Sequence, residues 1–164
     1  MGTIKKVSCF APLTACLICP TPSIGADVPK EGNYDVRVGC SGPSQVLTGV
    51  KDHMGGSYLV TCMPDAAEGA FFNGVVVQCT GSWTLVTGNY EEHGMCEATD
   101  QSGDKYFGVY TKSGQSDGVW RVTGGTGKYE GMQHSGAFNM AIQKPSIPGQ
   151  GGGVFHWWGN YKMG

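Results

Sequence analysis

Residues 124–131 read GGTGKYEG, and the chemistry such a glycine cluster suggests is phosphate binding. A phosphate-cradling loop needs a glycine five residues before its Gly-Lys pair and a Ser or Thr directly after it. Val122 stands at the first of these places and Tyr129 at the second. A dinucleotide fingerprint needs a helix next, so that its N-terminal amides meet the pyrophosphate. The next residues are MQHSGAFNMAI, a few turn formers and then a strand-like alternation. The phosphate reading is set aside. The glycines are read as a strand–turn–strand that needs positive φ or a bulge.

The other reactive residue types fare little better. The four histidines, His53, His93, His134 and His156, have no ligand spacing, and they are read as scattered surface residues, with His53 and His134 in turns. Thr99–Lys105 reads TDQSGDK, which lacks the alternating oxygen ligands and terminal Glu of a calcium loop and suits a tight turn. No Gly-x-Ser-x-Gly elbow and no cofactor motif is present, so no metal and no cofactor is assigned.

The chain has room for one domain, at 164 residues. Residues 1–26 have the order of a signal peptide: Lys5 and Lys6, then the apolar run Val7–Cys19, then TPSIGA. That run is too short to span a bilayer. The expected product is residues 27–164, exported to the periplasm or secreted. Leu13–Cys16 (LTAC) offers a second outcome, a lipid anchor on Cys16. Without residues 1–26, nine Lys and Arg face thirteen Asp and Glu, a formal charge of −4 with no basic patch. That balance disfavours nucleic acid and anionic membrane as partners.

Four of the seven cysteines remain after such processing: Cys40, Cys62, Cys79 and Cys96. An even count in an exported chain suggests two disulfides. Thr87-Gly88 reads as a two-residue hairpin turn, so Val86 pairs with Asn89. Counting outwards sets Cys79 opposite Cys96 in a non-hydrogen-bonded pair, where a disulfide can bridge. Cys40 then pairs with Cys62 by elimination.

Twenty-eight glycines and short apolar runs broken by turns point to an all-β domain of eight or nine antiparallel strands, as a barrel or a sandwich. Strands are read at 34–40, 45–50, 56–62, 74–86, 90–99, 105–111, 119–123, 137–143 and 154–162, with a mobile loop at 144–153. The hairpin register puts Val77, Cys79, Gly81, Trp83 and Leu85 on one face with Tyr90, Glu92, Gly94, Cys96 and Ala98. That face is the more apolar one and should point inwards. Glu92, opposite Trp83, breaks the pattern. It is either the one acid–base candidate, raised in pKa beside the indole, or a rim carboxylate reaching solvent, as most Glu side chains do. Alternation elsewhere adds Phe107, Val109, Trp120, Val122, Phe138, Met140, Phe155, Trp157 and Tyr161 as inward residues. The candidates for lining a ligand cavity are Trp83, Glu92, Phe107, Trp120, Phe138, Trp157 and Tyr161; the alternative is that they are plain core.

The segments CEATDQSGDKYFGVY (96–110), VWRVTGGTGKYEGMQHSGAF (119–138) and FHWWGNYKM (155–163) together resemble the allene oxide cyclase-like β-barrel group. That group includes dirigent proteins, and the likeness is strongest to small exported bacterial proteins of unknown role. The resemblance covers about the C-terminal half and implies an eight-stranded antiparallel barrel, often trimeric, with a central cavity. No catalytic residue of the group carries over. Three functions remain open at this point. The first is a binding module for a small apolar or aromatic ligand. The second is a structural envelope protein with a filled barrel and Tyr106 and Tyr110 outside at a subunit contact. The third is a cyclase- or isomerase-type enzyme acting by confinement.

Overall fold

The computed structural model describes residues 28–142 and 147–164, residue 142 by its backbone alone. The expected signal segment and Cys16 lie outside the described residues. Eight strands close into an antiparallel barrel in chain order: β1 Glu31–Thr48, β2 His53–Asp65, β3 Val76–Val86, β4 Asn89–Thr99, β5 Lys105–Ser113, β6 Gly118–Gly125, β7 Gln133–Ile142 and β8 Gln150–Lys162. The all-β character is thus as the pattern implied; of the barrel and the sandwich it left open, the barrel forms, with eight strands and not nine. The two strands expected at 34–40 and 45–50 are one. Gly42 and Pro43 interrupt the pairing with β2, yet both stay in register with Gly151 and Gln150 of β8. Proline lacks an N–H, and here it loses only one side of a two-sided ladder. For the same reason β8 begins at Gln150, inside the stretch expected to be a loop.

Thr87 and Gly88 both have positive φ, 50° and 85°, the conformation of the turn that matches strand twist in a two-residue hairpin. Val86 pairs with Asn89 and Cys79 with Cys96. The two disulfides are Cys40–Cys62 and Cys79–Cys96, with Cα separations of 4.0 and 4.1 Å. Both face inwards, so β1 is stapled to β2 and β3 to β4 along one wall.

The GGTGKYEG segment ends β6, makes one 3₁₀ turn at Gly127–Tyr129, and passes to β7. Thr126 exchanges hydrogen bonds with the Lys105 backbone, Lys128 pairs with Asp100 at 2.7 Å, and Tyr129 is buried. Gly127 has φ 53° and carries no Cβ where the Asp104 carboxylate packs. The motif is structural: it clasps the β4–β5 turn, and TDQSGDK is the turn it clasps.

The register fixes how the barrel is filled. Starting from Ser44 and Tyr58, one inward row runs Gly81, Gly94, Tyr110, Trp120, Gly136, Gly159 and returns to β1 at Tyr34. The row comes back ten residues from Ser44, the stagger that closure of these eight strands requires. Aromatic side chains and glycine pairs alternate around it. The Tyr110 hydroxyl lies where Cβ atoms of Gly81 and Gly94 would be, and the Tyr34 hydroxyl lies against those of Gly136 and Gly159, with the Trp120 indole beside Gly136 as well. Below this row the segment joining β2 to β3 folds under the barrel, with Phe71 and Phe72 buried against Tyr34, Tyr106, Tyr161 and Trp157.

The Cys79–Cys96 link closes a loop of 17 residues. Replacing both cysteines by alanine lowers unfolding free energy by about 3 kcal/mol, the loop-entropy expectation, read as a shift in denaturant midpoint. Gly81→Ala forces the Tyr58 and Tyr110 hydroxyls aside and costs about 2 kcal/mol. Part of that loss returns in a Tyr110→Phe background, as a double-mutant cycle will measure.

Candidate functional site

Between the aromatic floor and the β3–β4 hairpin lies a cavity of about 60 Å³. Its walls include both disulfides, Tyr58, Tyr110, Trp120, Phe138 and Trp157, and one ionisable carboxyl, Glu92. On the wall formed by β1–β4 the two disulfides tie β1 to β2 and β3 to β4.

Glu92 is where the hairpin register placed it, inward and opposite Trp83, and it is 5 % exposed. The rim alternative is therefore corrected: the carboxylate does not reach solvent. Burial holds because phenols replace water. Tyr58 donates to Oε1 and Tyr90 donates to Oε2 at 2.8 Å. The Tyr110 hydroxyl bonds that of Tyr58 and also approaches the Thr80 carbonyl at 3.3 Å. Both carboxylate oxygens thus accept, a pattern suited to the ionised form. The Trp83 indole closes over this group, stacked on Tyr90 at 6.2 Å and lying across Gly56, where a Cβ would come within 2.8 Å of Nε1.

Burial raises the phenol pKa of Tyr58 far above the ordinary value, and the neighbouring Glu92 and Tyr110 add to it. Tyr90 is raised by burial and then by Glu92. Tyr110 is raised chiefly by burial, with the hydrogen bond it shares with Tyr58 acting against this and the nearby Glu92 adding to it. All three remain protonated donors at any physiological pH.

The remaining expected residues divide. Trp120, Phe138 and Trp157 line the cavity; Trp83 caps the Glu92 group above it, and Tyr161 belongs to the aromatic floor. Phe107 and Val109 are corrected. They pair with Glu97 and Met95 on the outer face, and Tyr106 and Tyr110 are the buried ones, 2 % and 8 % exposed. The cause is register. Five residues, Asp100–Asp104, separate the paired Thr99 and Lys105, so Ala98 faces Tyr106 and the inward set continues as 106, 108, 110. A one-residue difference moves every side chain to the opposite face. The same result removes Tyr106 and Tyr110 from any outer subunit contact.

His134 is a second correction. It sits on β7 and points inwards, its Nε2 2.9 Å from the Tyr34 hydroxyl and its ring centroid 3.9 Å from that of Trp120. Its Nδ1 is buried with no partner among the described residues. Protonation would leave an N–H there with no acceptor, and burial lowers the pKa to about 4. His53, His93 and His156 are exposed, as expected. Among the described residues, no group of three His, Cys, Asp or Glu is placed to hold a metal ion. No helix among them is long and apolar enough to cross a membrane.

A larger cleft of about 480 Å³ lies at the other end, between the start of β1 and the segment Asp65–Phe72. Its acidic edge includes Asp35, whose side chain is 76 % exposed and paired with His156. Water already solvates such a carboxylate, so the cleft holds no stored demand for a ligand. The barrel cavity does.

Fold and site define a class, a closed eight-stranded antiparallel barrel with a carboxylate buried at an apolar internal cavity. In comparisons with known proteins, no family model, no curated protein and no solved structure matches this chain.

The inward residues most useful to the site escape alternation alone: Tyr58, Tyr110, His134, and the pair Phe71 and Phe72. The signal available for Tyr58 and Tyr110 is the glycine pair Gly81 and Gly94, which an inward ring nearby must fill.

His134 sets a pH dependence. The unfolded chain takes up a proton near the usual histidine value and the folded chain only near pH 4. Stability from the neutral ring is therefore complete above about pH 6.5 and is lost as pH falls towards 4, by up to about 3 kcal/mol. Denaturation followed across that window should show the slope, and His134→Gln should flatten it.

Proposed function

We propose that this protein is an exported carrier that holds a small molecule inside the barrel and leaves it unchanged. The observation that carries the reading is the unfilled apolar cavity, with a buried carboxylate on its wall fixed by three tyrosines. Pre-formed walls reduce what binding must spend on ordering, and two disulfides supply them here. Export rests on the ordered pattern of residues 1–26 and on disulfides, which persist in oxidising compartments. An eight-stranded antiparallel barrel is also what the resemblance to the allene oxide cyclase-like group implies.

Catalysis by acid–base transfer is less well supported. Both Glu92 oxygens are already engaged by donors, and phenols pushed upwards in pKa are poor proton sources near neutrality. A filled structural barrel is opposed by the cavity itself.

Native mass spectrometry of protein taken from its own host without refolding tests the carrier reading, alongside xenon titration of the purified protein followed by NMR. The expected result is a co-purifying mass released on denaturation, with xenon shifting resonances of the cavity walls once the cavity is emptied. A bare chain that gives no xenon response overturns it.

A further inference from the structure

We propose that the ligand of this cavity is a small organic cation, an ammonium with a short branched or compact apolar part. This rests on the carrier reading and adds charge and size to it. Glu92 is the one carboxylate on the cavity wall, and among the described residues it has no Lys or Arg partner. Lys112, its register partner on β5, turns its ammonium to the Ser116 carbonyl instead. Phenol donors satisfy the carboxylate's hydrogen-bonding capacity but leave its charge uncompensated. A buried charge without a counter-charge is the costly case, and an incoming cation would meet it.

The rest of the wall suits the same ligand. Tyr58, Tyr110, Trp120, Phe138 and Trp157 bring aromatic rings to the cavity, and such faces attract ammonium groups most strongly where water is excluded. The raised phenol pKa values keep Tyr58 and Tyr110 neutral, so Glu92 alone sets the sign of the site. An anionic ligand would face uncompensated repulsion. Size sets the upper limit. A dry cavity of roughly 150 Å³ accepts benzene, whereas this one is about 60 Å³ and admits only a few heavy atoms without movement of its walls. Trp83, half-buried over Glu92, lying across Gly56 and, among the described residues, stacked on Tyr90 alone, is the group placed to move aside for entry.

The test compares three probes of similar shape and different charge: isopropylammonium, 2-propanol and isobutyrate. Each is titrated at neutral pH into the full disulfide-bonded protein and followed by NMR shifts of the Tyr58, Trp83 and Tyr110 rings. The expected result is saturable binding of isopropylammonium at least tenfold tighter than 2-propanol, and none of isobutyrate. Glu92→Gln should abolish the preference, while Glu91→Gln, on the exposed neighbour, should leave it intact. If Glu92→Gln does not fold, the comparison of probes on the unaltered protein decides. Equal binding of cation and alcohol, or a preference for isobutyrate, overturns the inference. If no probe binds but xenon enters, the cation inference fails and the carrier reading stands. If xenon is also refused, both fail.

Discussion

Everything inside this barrel answers to a limit on space. Eight strands closed with a stagger of ten enclose an interior that side chains can nearly fill, and many aromatic rings compete for it. The conflict is resolved by removing side chains in pairs. Gly81 with Gly94, and Gly136 with Gly159, clear two bays on opposite walls, and hydroxyl-bearing rings lie across them. Tyr110 in the first bay is thereby brought to Tyr58, and Tyr58 to Glu92. The polar group at the cavity is a consequence of packing: a ring that must extend over a glycine pair carries its hydroxyl to the far side.

The two halves of the interior use that device differently. Near the floor, Tyr34 meets His134 and Trp120, and Phe71 and Phe72 fill the remaining volume, so the polar atoms there are enclosed by rings. His134 is kept neutral by this enclosure. Towards the β3–β4 hairpin no such plug enters among the described residues, and they leave the space beside the disulfides open. The same hydrophobic burial thus gives a sealed floor and, one layer higher, a cavity whose carboxylate is bonded but not neutralised. A floor packed with rings and a wall carrying two disulfides contrast with the hairpin end, where Trp83 and Tyr90 are only half-buried.

Most of the β3–β4 hairpin was legible from the chain alone. A two-residue turn leaves no freedom in register, so Thr87-Gly88 determined the Cys79–Cys96 pair, the inward position of Glu92 and its place opposite Trp83. The glycine cluster at 124–131 was likewise readable as a turn, because phosphate chemistry requires residues that are missing. The all-β character came from composition and turn spacing, which left eight or nine strands and a barrel or a sandwich open.

Burial and cross-barrel neighbours were not legible in the same way. The face of β5 depended on a five-residue turn, and with large side chains on both faces alternation had no preference between Phe107 and Tyr106. His134 resembled a turn residue until β7 was extended back to Gln133 by its pairing with β8. Phe71 and Phe72 lie in no strand, so no periodicity could direct them under the barrel. Sequence determined what is local: turn, register and the disulfide that register permits. The curved interior decided the rest, because it brings Tyr58 of β2 across to Glu92 of β4, beside Tyr90 on the same strand and with Tyr110 of β5 behind Tyr58, and so makes it possible to bury Glu92.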